Sequence, residues 1–265
     1  MVNDYIYVKG IAIVMIDEII KVVKEAGQIM LAARNIQSGV VSKEGRANFV
    51  TKYDVEVQQF LFAKLAKLYP DATFIGEEED QRTTPGEYCF IIDPIDGTTN
   101  FIMDYHHSAI SVGLLYHGQM AAGVVYNPYL DELFYAEHGT GAFLNHKPLR
   151  VTDLSLSEGL VSIGTCPYYR DKADSVFTLS RKLFDVALDI RRTGSAALDL
   201  CYVAAGRFVL FFEPVLCPWD YSAASLIITE AGGCVTTIDG SKLDYTKVCG
   251  VVAATPTAYE EFFKL

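Results

Sequence analysis

The stretch Asp93-Pro94-Ile95-Asp96-Gly97-Thr98-Thr99-Asn100-Phe101 holds the densest chemistry in this 265-residue chain. It follows the apolar run Phe90-Ile91-Ile92, which has the look of a buried strand. Asp93 is expected to end that strand and Pro94 to force a turn, so that Asp93 and Asp96 converge at the strand's carboxyl end. Gly97 frees the backbone for close approach, and Thr98-Thr99 open a helical turn whose amides can cradle a phosphate. Two carboxylates this close repel each other and hold their protons to higher pH than isolated ones. A hard divalent cation relieves that repulsion, and an all-oxygen ligand set favours magnesium over zinc.

Two further acidic sites lie outward from this core. Gly76-Glu77-Glu78-Glu79 follows a second short apolar run, Phe74-Ile75, and Trp219-Asp220 precedes Tyr221-Ser222-Ala223-Ala224 at the start of an apolar helix. Each has a plainer reading when taken alone. Asp220 is then a helix N-cap, worth roughly 1 kcal/mol. The glutamate run is a solvated loop, and the Asp93 stretch is an Asx-Pro turn before a capped helix. What outweighs these is the recurrence: three acidic sites at strand ends or helix starts, which the alternation of elements would place on one edge.

The rest of the chain alternates in a way that supports this placement. Helices are expected over residues 16–35 and 55–68, with a polar, glycine-bearing loop at 39–48 between them. Residues 108–143 read as a β-meander punctuated by His117-Gly118, Asn127-Pro128 and Gly139 to Gly141. Strands at 160–163, 187–190 and 208–212 then alternate with helices at 172–184, 196–205 and 220–231. A strand at 251–254 and a helix from Pro256 close the chain. The expected class is mixed α/β (α+β), a single domain of two subdomains, roughly 15–150 and 151–265. Residues 1–14 read as an N-terminal extension before a candidate start at Met15, without the charge or cleavage site of an export signal.

Composition narrows the function. Lys and Arg number 22 against 33 Asp and Glu, a formal charge of −11, which disfavours broad nucleic-acid or anionic-membrane binding. No apolar run approaches the roughly 20 residues a membrane helix needs. The six cysteines form no CxxC pair, so reduced thiols in a cytoplasmic protein are the expectation.

Taken together, the motifs resemble those of the inositol monophosphatase family of magnesium-dependent, lithium-sensitive phosphatases. Ile75-Gly76-Glu77-Glu78 resembles the family's first acidic motif, Asp93 to Phe101 its DPIDGTTNF signature at every position, and Trp219 to Gly233 its C-terminal WDxAA…EAGG signature. The resemblance implies a layered α-β-α-β-α sandwich of the inositol monophosphatase and fructose-1,6-bisphosphatase type. It implies Glu77, Asp93 and the Ile95 carbonyl as ligands of a first magnesium, and Asp93, Asp96 and Asp220 as ligands of a second. A third, weaker ion near Glu77 is usual in relatives. Asp54 would pair with Thr98 to orient and deprotonate the attacking water, and Lys43 would lie in the family's mobile catalytic loop, here 38–49. Gly97 and Thr98 amides, with Thr99 beside them, would bind phosphate. Gly194, Ser195, Ala196 and Glu213, together with Asp220, would meet the hydroxyls of the sugar or cyclitol.

The implied activity is hydrolysis of a phosphomonoester, foremost myo-inositol monophosphate. NADP(H), 3′-phosphoadenosine phosphate and fructose 1,6-bisphosphate are the rival substrates, and a regulatory binding protein with incidental catalysis is the rival class. Cys217 stands where many relatives carry histidine, and the Tyr168-Tyr169-Arg170 loop is the feature expected to separate the substrates. A homodimer is expected from the resemblance, with no nucleic-acid or membrane partner.

Overall fold

The computed structural model describes residues 16–42, 49–78 and 84–265. The expected extension at 1–14, Lys43 with most of its loop, and Glu79 lie outside the described residues.

Helix α1 (Ile16–Ala32) buries Ile19, Ile20, Val23, Ala26 and Met30, the three- and four-residue spacing of a one-sided helix. It stops short of residue 35, where Asn35 adopts a left-handed φ of 53°. A short hairpin of β1 (Val41–Ser42) and β2 (Phe49–Val50) follows. Helix α2 (Lys52–Leu68) begins three residues earlier than expected because Thr51 caps it: the Thr51 hydroxyl accepts from the Tyr53 amide at 3.1 Å.

Seven strands then form one sheet: β3 (Thr73–Gly76), β4 (Tyr88–Asp96), β5 (Ala109–Tyr116), β6 (Gln119–Asn127), β7 (Glu132–Glu137), β8 (Gly141–Leu144) and β9 (Lys147–Leu149). Only the β3–β4 pair is parallel; from β4 onward the sheet is an antiparallel meander in chain order. Between β4 and β5 lies α3 (Thr98–Ile102). Along β4 the side chains alternate: Phe90 and Ile92 join the α1–α2 side, while Cys89 and Ile91 join the opposite core. Both faces are covered, so the strand reads as a continuous apolar run rather than as alternation.

The second half supplies a five-stranded sheet ordered β11-β10-β12-β14-β13. Its strands are β10 (Leu160–Ile163), β11 (Asp189–Arg191), β12 (Leu210–Leu216), β13 (Cys234–Thr237) and β14 (Cys249–Ala254). Its helices are α4 (Ala173–Val186), α5 (Ala196–Ala204), α6 (Pro218–Glu230) and α7 (Pro256–Phe262). Phe211, Val251 and Ala253 face α5 and α6, which also pack on the seven-stranded sheet. Leu210, Phe212 and Val252 face the side of α4 and α7, with Leu183 and Phe262. The layers therefore run α1/α2, sheet, α5/α6, sheet, α4/α7, the five-layer sandwich expected.

Strand β13 was not expected from the sequence, and the meander extends past residue 143 into the β8–β9 hairpin. Nor does Asp93 end its strand. Strand β4 runs on to Asp96 through a bulge, with Asp93 opposite Ser111 and Asp96 opposite Ala109. Pro94 is accommodated there because a bulged residue donates no ladder hydrogen bond.

The middle layer sits unusually close to the first sheet. A Cβ at Gly123 of β6 would come within 2.4 Å of the Ala223 carbonyl on α6, so only glycine admits the helix there. That approach, with the Ser111 hydroxyl donating to the Trp219 carbonyl at 3.1 Å, sets the start of α6 beside the bulged end of β4.

Candidate active site

Each acidic residue is aimed by a local backbone device. Glu77 follows β3, whose Gly76 lies opposite Ile92, so the parallel register brings Glu77 beside Asp93. Gln58 of α2 secures the chain just beyond: it donates to the Glu78 carbonyl at 2.7 Å and accepts from the Glu78 amide at 3.0 Å. Asp93 accepts from the Ile95 amide at 3.0 Å within the bulge. Asp96 reaches the start of α5, accepting from the Ala196 and Ala197 amides at 3.3 and 3.1 Å and from the Ser195 hydroxyl. Asp220 is not the N-cap its position suggested. Cys217 is the cap, and Asp220, in the first turn of α6, accepts from the Cys217 amide at 2.7 Å.

Carboxylate oxygens of Asp93, Asp96 and Asp220 all lie within 4.8 Å of one another. Burial pushes Asp93 and Asp220 well above the usual carboxylate range, and their acidic neighbours push them further. Asp96 is raised to about 6 by burial, against the opposing pull of its Ser195, Ala197 and Ala196 donors. Three crowded acids, Asp93 and Asp96 buried and Asp220 half-buried, cost free energy as a bare cluster. Each nevertheless is tethered by a backbone amide while keeping further lone pairs for another partner. This crowded, all-oxygen donor set fits a hard divalent cation. Glu77 and the Ile95 carbonyl border the same space.

Beside the cluster stands a second device. The capping box of α2 directs two donors, the Thr51 amide at 2.8 Å and its hydroxyl at 2.6 Å, onto one oxygen of Asp54. The other oxygen is left to meet the Thr98 hydroxyl at 3.2 Å. Asp54 is fully buried, which raises its pKa to about 6. Gly97, at a φ of 82°, turns the chain from β4 into α3, where a Cβ would stand 3.1 Å from the His107 and Gly194 carbonyls.

These parts border one cavity of about 730 Å³. Glu77, Asp93, Ile95, Asp96, Gly97, Thr98, Thr99 and Asp220 belong to its lining, as do Gly194, Ser195, Ala196 and Glu213 from the second half, with Ser195 and Ala196 bonded to Asp96. Asp54 is the exception: it sits behind Thr98 and reaches the cavity through it. Glu213 accepts from the Cys166 amide at 2.9 Å, and burial raises it to about 7.

Sequence reasoning missed part of the lining. Tyr168 and Tyr169 line the cavity but Arg170 does not; Arg192 supplies the cation instead. Half of the Tyr168 side chain is open to solvent, yet its phenol is held above the ordinary range by burial and by Glu77, Asp220, Asp93 and Asp96. Asp199, also in the lining, accepts from the Thr193 hydroxyl at 2.6 Å. The doubled arginine at 191–192, directly before Gly194-Ser195 in an acidic chain, was the available signal.

Comparisons with known proteins agree with this geometry. The family model described as inositol monophosphatase family matches residues 14–265. Inositol-1-monophosphatase of Rhizobium meliloti is 40% identical over 229 residues, 86% of this chain and 85% of the relative. A protein named Nus factor SuhB, from Vibrio cholerae, is 36% identical over 245 residues, 91% of each. Among solved structures, the extragenic suppressor protein SuhB of Bartonella henselae superposes with a TM-score of 0.86 at 32% identity, covering 94% of this chain and 96% of that one. An IMPase/NADP phosphatase solved with Mg2+ and phosphate gives a TM-score of 0.81 at 25% identity, covering 94% and 92%. With the signature residues gathered around one cavity and the family model matched along nearly the whole chain, this protein belongs to the inositol monophosphatase family.

Proposed function

We propose that the chain is a magnesium-dependent phosphomonoesterase whose foremost substrate is myo-inositol monophosphate. The observation that carries the reading is the pairing of a crowded, largely buried carboxylate cluster with the Thr98–Asp54 hydrogen bond at a single cavity. Asp93, Asp96, Asp220, Glu77 and the Ile95 carbonyl would hold the magnesium. When bound, the metal neutralises the phosphate dianion, activates a water and stabilises the departing alkoxide.

The chain's own residues supply orientation and a proton path. Thr98 would accept a hydrogen bond from the attacking water while its own hydroxyl, which has the Ile95 carbonyl at 3.0 Å and Asp54 at 3.2 Å as acceptors, donates to Asp54. The two Thr51 donors keep Asp54 from rotating, so its free oxygen stays on Thr98. Burial lifts Asp54 toward neutrality, which suits a group that takes up a proton near pH 7. The Gly97 and Thr98 amides would hold the phosphate, and Ser195, Ala196 and Glu213 the hydroxyls of the leaving group. Nothing here needs a cysteine or histidine nucleophile.

A second reading, a larger substrate such as NADP(H), 3′-phosphoadenosine phosphate or fructose 1,6-bisphosphate, is favoured by the cavity's size and by Tyr168 and Tyr169 in its lining. The same account carries a cytoplasmic location and a homodimer, the latter tested by mass from light scattering.

Phosphate release from inositol 1-phosphate, NADP, 3′-phosphoadenosine phosphate and fructose 1,6-bisphosphate, each with magnesium and with excess EDTA, tests the proposal. Magnesium-dependent release led by inositol 1-phosphate is the expected result. Release led by another ester moves the substrate to the second reading. No release from any of them overturns the enzyme reading in favour of a binding protein.

A further inference from the structure

Of the three clustered acids, Asp93 and Asp220 each take an amide from within three residues of themselves. Asp96 takes its donors, the Ser195 hydroxyl and the Ala196 and Ala197 amides, from 99 to 101 positions further along the chain. Its aim therefore depends on whatever keeps the start of α5 against the end of β4. The contact between them is bare. A Cβ on Gly97 would stand 3.1 Å from the Gly194 carbonyl and 3.3 Å from the Ser195 Cβ. Two glycines allow the approach, but they have no side chains with which to hold it.

Asn100 supplies the hold. It is buried in α3, in the same signature stretch as Asp96. Its side-chain nitrogen has two hydrogens, and both are spent. One goes to the His107 carbonyl at 2.8 Å, between α3 and β5, and the other to the Thr193 carbonyl at 3.0 Å, just before α5. On its own side Asn100 is fixed, since its backbone carbonyl accepts from the Tyr105 amide at 2.9 Å. On the far side the Thr193 hydroxyl donates to Asp199 of α5 at 2.6 Å, and the Asp199 amide donates to the Ser195 carbonyl at 3.0 Å. Residues 193–195 and the first turn of α5 thus form one unit, and a hold on Thr193 is a hold on Ser195.

Asn100 is not among the residues lining the cavity, so it would touch neither metal nor substrate. We propose that Asn100 is a positioning residue for metal binding: by tying α3 to the Thr193 carbonyl it keeps Ser195, Ala196 and Ala197 on Asp96, and so keeps Asp96 aimed into the carboxylate cluster. This rests on the magnesium-dependent phosphatase reading above and adds a residue to it.

Magnesium alone, titrated calorimetrically into metal-free wild type, Asn100→Ala and Asn100→Leu, reads the effect without turnover. Alanine opens the space and leucine fills it; neither side chain can donate. Each variant should bind magnesium about tenfold more weakly, the scale of the two lost hydrogen bonds. Ser195→Ala removes a donor at the other end of the same path. The double variant, Asn100→Ala with Ser195→Ala, should therefore weaken binding by less than the product of the single effects. Thr255→Ala, which uncaps α7 in the outer layer, controls for lost stability: it should melt lower in EDTA and bind magnesium as wild type does. Phosphate release should show the same shift in the magnesium needed for half-maximal rate, with kcat at saturating magnesium within about threefold of wild type. Wild-type magnesium affinity in both Asn100 variants, full additivity with Ser195→Ala, or a fall in kcat at an unchanged magnesium requirement overturns the positioning role. Wild-type protein that binds no magnesium instead defeats the reading on which it rests.

Discussion

The two sides of the cavity are built by different rules. On one, Asp93, Asp96, Gly97, Thr98 and Thr99 come from a single run of chain, folded by a strand bulge and a short helix into one cluster. On the other, Cys166, Tyr168, Arg192, Gly194 and Glu213 arrive from separate loops and strands of the second half. The first side has its backbone shape imposed locally, by the bulge and by amide tethers within three residues, with Asp96 alone of the cluster held by Ser195, Ala196 and Ala197 from the second half. The second depends on how distant segments pack. Such a division suits one kind of chemistry offered to varied leaving groups: reaction on the locally fixed side, selection on the assembled one.

The comparison breaks most easily at the cluster. Asp93→Asn removes a charge aimed at the metal, and we expect a loss of several kcal/mol of barrier stabilisation, on the order of a thousandfold in kcat/KM. Steady-state phosphate release checks this; an Asp93→Asn enzyme within tenfold of wild type would remove the cluster from the reaction. Thr98→Ala should cost roughly a hundredfold in kcat. Asp54→Asn should add little to it, because the two act as one path, and a double-mutant cycle measures that coupling. Full additivity would mean that they act separately.

Two smaller effects concern how the sides are held together. Gly123→Ala sets a methyl against the Ala223 carbonyl and should destabilise the fold by about 1–3 kcal/mol. A thermal melt should then show a midpoint several degrees lower; an unchanged midpoint would mean that α6 yields freely. Glu213 tests the assembled side through pH. Its pKa is raised from an ordinary 4.5 to about 7, first by burial, so the folded state holds the proton that the unfolded state releases. Its contribution to stability is therefore lost as pH rises from about 4.5 toward 7 and stays level above. In EDTA, Glu213→Gln should gain in melting temperature relative to wild type across that window. A constant difference would show Glu213 to be ionised throughout.

How legible the molecule was in its sequence follows the same division. The acidic motifs and the layered fold could be read because each is local: apolar runs, glycine turns, carboxylates at strand ends. Even there the sequence misled where two local devices compete. Pro94 reads as a strand breaker, but a bulge absorbs it, and Asp220 reads as a cap, but Cys217 takes that role one turn earlier. Asp54 was found only by resemblance, since nothing in its surroundings announces that Thr51 would pin one of its oxygens and present the other. Arg192 was passed over for Arg170 because loop composition does not tell which arginine points inward. Lys43 lies outside the described residues, and its expected part in the catalytic loop stands as a proposal.

The central claim is that the buried carboxylates act by holding magnesium. Protein stripped with EDTA, then titrated with magnesium while phosphate release from inositol 1-phosphate is followed, tests it directly. The account predicts no release in EDTA and a saturable recovery with added magnesium. Release that persists in EDTA, or none at any magnesium concentration from this or any other phosphomonoester, would contradict it.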